Sequence, residues 1–113
     1  MLTPMDTCVF CRIVEGKAPA QVVYQDEEFF AFKDIHPRAP VHILIIPRRH
    51  IPSARDLTEE DASLMGRLLL AANRVAEQVG LQGYRELVQV GREGGQTIFH
   101  LHLHLLGGGA PVW

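Results

Sequence analysis

Three histidines recur at every second residue in His100-Leu101-His102-Leu103-His104-Leu105-Leu106. Along an extended segment successive side chains point to opposite faces. The alternation therefore gathers three imidazoles on one face and three leucines, Leu101, Leu103 and Leu105, on the other. The leucine face answers to burial against a core. Alternating strands ordinarily carry Lys, Thr or Glu on the outer face, so a row of imidazoles asks for chemistry. Neighbouring members of the row stand about 6.8 Å apart, and the outer pair twice that. Two adjacent members could share a zinc ion at about 2.0–2.1 Å each, but all three could do so only across a strong bend. Separate roles suit the spacing better. A neutral imidazole near pH 7 is both a nucleophile and a proton shuttle, and its phosphorylated or nucleotidylated form is labile to water.

Attack on phosphorus needs donors that stabilise an anion. Gly94-Gly95-Gln96-Thr97 lies just ahead of the histidines. Its glycines let backbone N–H groups turn onto a phosphate, and Thr97 adds a hydroxyl. It is not a Walker loop, because the lysine and the following helix are absent. A second chemical set is Cys8-Val9-Phe10-Cys11. Two thiolates at this spacing can grip zinc, and a closed site needs two more ligands. His50 and one of the strand histidines are available to complete it. The competing reading is a pair of buried, unliganded cysteines. A thioredoxin-like role fits poorly, since no strand precedes the motif and no βαβ unit follows.

The elements that position these residues are legible in outline. Residues 8–16 read as a short helix, with Val9, Ile13 and Phe10 turned inward. Residues 21–25 and 29–33 read as strands joined in a hairpin. Residues 34–40 hold two prolines and form a loop. Residues 41–46 read as a third strand, stopped by Pro47. The clearest helix runs over 58–79, opened by Thr58 and Asp61 as a capping box and closed by Gly80. Leu64, Met65, Leu68, Leu69, Ala72, Val75, Ala76 and Val79 make its apolar face. Residues 84–90 read as a fourth strand and 98–106 as the histidine strand. The pattern predicts an α+β fold with an antiparallel five-stranded sheet, one short N-terminal helix and one long helix, in a single domain over 1–113.

The chain is 113 residues long, 47% hydrophobic and 21% charged, with a formal net charge of -2. No basic stripe is present to neutralise phosphates, so a nucleic-acid scaffold is not expected. The longest apolar run falls far short of a membrane span. The first six residues lack the basic and apolar regions of a secretory signal, and a cytoplasmic location is the expectation. Two cysteines three apart in a reducing compartment read as metal or redox, not as a structural disulfide.

The run from His100 to Leu106 resembles the signature of the histidine triad family, in its Hint branch. The likeness extends through Phe29 to His42, through Ile46-Pro47-Arg48-Arg49-His50-Ile51 and through the glycine turn, in the right order. It implies a nucleotidyl hydrolase or transferase acting on phosphoramidates or phosphoanhydrides of purine nucleoside monophosphates. By that likeness His102 is the nucleophile, His104 and His42 line the phosphate site, and Thr97 stands near the leaving group. Asp34 would hold the ribose, and Phe10, Phe32 and Ile35 the purine. Gln89, Gly95 and Gln96 would border the phosphate; Gln89 replaces a usual Asn. The resemblance also implies a structural zinc on Cys8, Cys11, His50 and His100, no metal in the chemical step, and a homodimer to which Trp113 contributes. Two other functions compete: a nucleotide-binding adaptor with little turnover, and a hydrolase using the triad as zinc ligands.

Overall fold

Phe29-Phe30-Ala31-Phe32 and most of the next strand are apolar without alternation, which demands cover on both faces of a sheet. The computed structural model, which describes residues 4–109, supplies it. Strands β1 (Val22–Gln25), β2 (Phe29–Lys33), β3 (Val41–Pro47), β4 (Tyr84–Leu87) and β5 (Leu103–Gly107) form one sheet in the order β1-β2-β3-β5-β4. Every neighbouring pair is antiparallel. One face packs on helix α3 (Ala62–Gln78), where Phe29, Ala31, Ile43, Ile45, Leu101, Leu103 and Leu105 meet Leu64, Leu68, Ala72 and Val75. The other carries Phe30, Phe32, Leu44 and Ile46 against Phe10 and Ile13 of the short helix α2 (Val9–Val14).

The register places the chemistry. Leu44 pairs with His104, and His42 with Leu106, two residues further along. His42 and His104 therefore sit diagonally on one face, the face that α2 covers. Leu101, Leu103 and Leu105 fill the opposite core, as the sequence reading requires.

Several boundaries differ from the sequence reading. Strand β5 begins only at Leu103, not at residue 98, because its ladder with β3 ends where Ile45 faces Leu103. Residues 98–102 run outside the ladder yet keep their alternation. Strand β4 stops at Leu87 rather than 90, and β3 runs one residue further, through Pro47. A single turn, α1 (Pro4–Thr7), precedes α2 and is not part of the sequence reading. Cys8 is the N-cap of α2, so the helix starts at Val9. Val9 itself points outward, 42% exposed, while Phe10, Cys11 and Ile13 are buried.

The capping box exists, with Asp61 accepting from the Thr58 N–H at 2.9 Å and its hydroxyl at 3.2 Å. It closes a 3-10 turn over Glu59–Asp61, and α3 follows at Ala62. At the far end Gly80 has φ +80°, and the Leu81 and Gly80 N–H groups donate to Ala76 and Glu77 carbonyls. That is a Schellman closure, and only glycine takes its left-handed position without strain. Leu69, expected in the core, is 46% exposed, and Ala71 is buried instead. At 100° per residue Leu69 turns past the edge of the stripe that Leu68 centres. Leu68→Ala should therefore cost about 3 kcal/mol in urea denaturation, and Leu69→Ala no more than about 0.5 kcal/mol. Equal losses would contradict this packing.

Candidate active site

His42, at the start of β3, takes the Arg38 backbone N–H on Nδ1 at 3.0 Å. That nitrogen must hold a lone pair, so the proton of a neutral His42 is on Nε2. Its Nε2 lies 2.9 Å from His104 Nδ1 and 3.4 Å from Asp34 Oδ2. His104 Nδ1 is then the acceptor, and its own proton sits on Nε2. His102 Nδ1 lies 2.6 Å from the His100 carbonyl and must donate to it. This leaves the lone pair of His102 on Nε2. The protonation states follow from the fixed backbone partners at each end. The rings of His102 and His104 are 4.9 Å apart, centre to centre.

The rings are held neutral. Burial lowers the pKa of His42, with the Asp34 charge opposing and Arg38 reinforcing. Burial and then the like charges of His102 and His42 push His104 down to about 4. Burial also lowers His102, against the pull of the His100 carbonyl and Asp34. His104 Nε2 is buried and has no hydrogen-bond partner among the described residues. A lone pair on His102 Nε2 beside an unspent N–H on His104 is what attack on an anionic centre requires.

The other half of the site is a Cys–His cluster. His100 Nδ1 lies 3.3 Å from Cys8 Sγ, 3.5 Å from Cys11 Sγ and 3.3 Å from His50 Nδ1. Cys11 Sγ is 3.3 Å from His50 Nδ1. A tetrahedral zinc with ordinary bond lengths sets N···N edges of about 3.3 Å and N···S edges of about 3.6 Å. The four side chains fit it. His100 Nε2 lies 2.7 Å from the Pro47 carbonyl and donates to it, which frees Nδ1 as a ligand atom. Burial pushes the Cys11 thiol up to about 12, aided by the hydrogen bond and charge of Cys8 and by Glu15. A bound cation would favour the Cys11 thiolate.

The remaining predicted residues fall around these two groups. Asp34 Oδ1 accepts the His36 N–H at 2.8 Å, and Oδ2 faces His42. Phe10 and Phe32 stack edge-on at 5.2 Å and are nearly fully buried, whereas Ile35 is 83% exposed. They make a wall and a rim, not one continuous apolar cleft. Gly95 has φ +90°, and a Cβ there would lie 2.5 Å from Gln89 Nε2, so Gln89 rests on the glycine turn. Thr97 is exposed and lines a cavity of about 340 Å³ with Cys8, His50 and Ile98. The Gln96 side chain turns inward. Its amide is buried, accepting from Ser53 and the Gly91 N–H and donating to the Pro52 and Ile98 carbonyls. Those internal bonds leave the side chain nothing to offer a substrate. Ser53, the Pro47 carbonyl and the Arg38 N–H escaped the sequence reading, because backbone groups and an ordinary serine carry no motif.

The family model described as "Scavenger mRNA decapping enzyme C-term binding" matches residues 7–111. Purine nucleoside phosphoramidase of Escherichia coli K12 is 44% identical over 102 residues, 88% of this chain and 86% of the relative. The chain belongs to the histidine triad family. Protein HitA of Neisseria gonorrhoeae is 43% identical, over 91% of this chain and 97% of its own. A histidine triad family hydrolase from Legionella pneumophila superposes with a TM-score of 0.91 at 44% identity, covering 95% of this chain and 97% of the other. A zinc-bound histidine triad protein from Mycobacterium smegmatis superposes at 0.77 with 35% identity, covering 90% and 75%. The protein is thus a histidine triad hydrolase, and the resemblance drawn from its motifs holds.

Acid stability reports the histidine cluster. An unfolded His104 titrates near 6.5 and the folded one near about 4. The unfolded chain therefore binds the proton first, and this ring's contribution to stability falls as pH drops from 6.5 toward 4, then levels. His104→Asn cannot titrate there. Its melting temperature should decline less between pH 7 and 4.5 than that of the unaltered protein. Parallel declines would refute the buried, neutral assignment.

Proposed function

We propose that the protein cleaves purine nucleoside phosphoramidates, or the related phosphoanhydrides, at the α-phosphorus through a covalent nucleotidyl-His102. The observation that carries this is the hydrogen bond from His102 Nδ1–H to the His100 carbonyl, which leaves Nε2 as a nucleophile. The His102 Nε2 lone pair forms a bond to phosphorus, and the phosphorus bond to the leaving nitrogen or oxygen breaks. The leaving group departs with that electron pair and takes a proton from solvent. Water then attacks the same phosphorus and gives a proton back to solvent, the P–Nε2 bond breaks, the nucleoside monophosphate leaves, and the electron pair returns to Nε2. Charge that builds on the phosphoryl oxygens is met by His104 Nε2–H, which His42 holds in the donating form.

Supporting roles follow the same reading. The partly exposed Asp34 would take the ribose hydroxyls. Ile35 would offer its exposed side chain to the base, with Phe10 and Phe32 behind. Gly95 and Gln89 would border the phosphate, and the Thr97 hydroxyl the leaving group. Cys8, Cys11, His50 and His100 would hold one zinc ion, which supplies structure and no chemistry. The fit of the four donor atoms to a tetrahedron supports this reading. The whole would act as a single domain and pair with a second copy through sheet edges, where β1 and β4 are the outer strands. Trp113, expected at that interface, lies outside the described residues. A cytoplasmic setting fits two reduced cysteines, and among the described residues no helix is long and apolar enough to cross a membrane.

Adenosine 5′-phosphoramidate is the substrate to test. His102→Ala should lower kcat by about four orders of magnitude or more. A quenched reaction of the unaltered protein should yield adenylyl-His102 by mass spectrometry. Unchanged turnover by the variant would refute the reading; nucleotide binding without turnover or adduct in the parent would favour an adaptor. Elemental analysis of the purified protein should find one zinc per chain. The Cys8→Ser, Cys11→Ser double variant should lose it and melt at a lower temperature.

A further inference from the structure

His100 has two functions in one residue. Its ring is the hub of the Cys–His cluster, within 3.3 to 3.5 Å of Cys8, Cys11 and His50. Its carbonyl is the acceptor that sets the protonation of His102. The sheet does not hold this peptide, because the ladder stops at Leu103. Two other bonds anchor it: the His100 ring to the Pro47 carbonyl, and the Leu101 N–H to the Ile51 carbonyl at 2.6 Å. Ile51 follows His50 directly, so one ligand's neighbour grips the other ligand's neighbour. Helix α2 closes the arrangement. Phe10 stands between Cys8 and Cys11 and sets its ring edge-on to His102, at 5.2 Å and 87°. The cluster thus touches His102 from its backbone acceptor and from its ring face.

We propose that Cys8, Cys11 and His50 are positioning residues for the reaction. By gripping His100 through a shared metal ion, they hold its carbonyl on His102 Nδ1–H and so keep the lone pair at Nε2. When the grip is lost, the 98–102 segment has too few backbone bonds to keep its path. His102 can then take the other tautomer, whose Nε2 carries a proton and cannot attack. The metal acts on the form and orientation of the nucleophile rather than on the substrate. This rests on the reading of His102 as nucleophile and of the cluster as a zinc site.

His50 is the ligand to alter, because it is only half-buried and lies outside the helices and strands. His50→Ala leaves three ligands, and His50→Cys restores four. Protein labelled with ¹⁵N-histidine reports the His102 tautomer directly by NMR. Circular dichroism at the same temperature reports the fold. Zinc is quantified in each sample. In the parent, His102 should show a single Nδ1–H tautomer. His50→Ala should stay folded, show His102 averaged between tautomers, and lose about tenfold or more in kcat. Its KM should stay within about threefold, because substrate contacts are untouched. His50→Cys with bound zinc should regain both the single tautomer and the turnover.

Three results would overturn the proposal. His50→Ala could retain the single tautomer and full kcat after losing its metal. His50→Cys could bind one zinc per chain and be no better than His50→Ala. His50→Ala could unfold as a whole, which would assign the metal to global stability. Failure of the nucleophile reading looks different: His102→Ala would then keep its turnover with the metal in place.

Discussion

A neutral imidazole carries one proton, and these rings are kept neutral. Each ring then has one donor and one acceptor, so a fixed partner at one nitrogen decides the other. The Arg38 N–H decides His42, His42 decides His104, and the unspent donor emerges at His104 Nε2. The His100 carbonyl decides His102 in the opposite sense and exposes a lone pair. Neighbouring rings thus present a donor and a lone pair from one residue type. If burial relaxed and the rings charged, every nitrogen would become a donor and the distinction would vanish. The low pKa of His104, which burial causes first of all, therefore preserves the distinction between donor and acceptor.

That constraint explains the inequality of the two faces of the sheet. The face under α3 is filled by aliphatic and aromatic side chains in a continuous core. The face under α2 combines Phe10, Phe30 and Phe32 with the histidines. Aromatic edges and ring stacks pack against imidazoles without demanding hydrogen bonds. They keep water from the rings and so sustain their neutral forms. A helix of only six residues suffices here because Cys8 caps it, its Sγ accepting the Cys11 N–H at 3.3 Å, and because the cluster ties it to His50 and His100.

Much of this was legible in residue types and spacing. The alternation from His100 to Leu106 predicted which side chains share a face, and this holds even where the ladder is missing. Thr58 with Asp61, and Gly80, marked the limits of α3 to within a few residues. Other features were not legible, each for a physical reason. The early end of β5 depends on its partner strand and on the ring of His100 taking the Pro47 carbonyl. The outward turn of Val9 depends on the helix starting one residue after Cys8. Gln96 reads as a phosphate neighbour from its place in the glycine turn. Its inward rotation follows from Ser53 and Pro52, more than forty residues away in sequence. The protonation of His42 rests on a main-chain N–H that belongs to no side-chain pattern.

The glycine turn shows how a buried amide can order a loop. Gly91 has φ +72° and Gly95 +90°, so the turn between them occupies backbone space that other residues enter only with strain. Such a loop would ordinarily sample many paths, since glycine surrenders more freedom than any residue on ordering. Gln96 removes that freedom, because its amide accepts twice and donates twice to groups on both sides of the turn. The backbone of the turn is then ordered by folding itself, and the cost of ordering it falls on folding. Gln96 and the His100 carbonyl solve the same problem in different places. Each pairs a buried side chain with a backbone group, and the pairing fixes a loop in one place and a ring's protonation in the other.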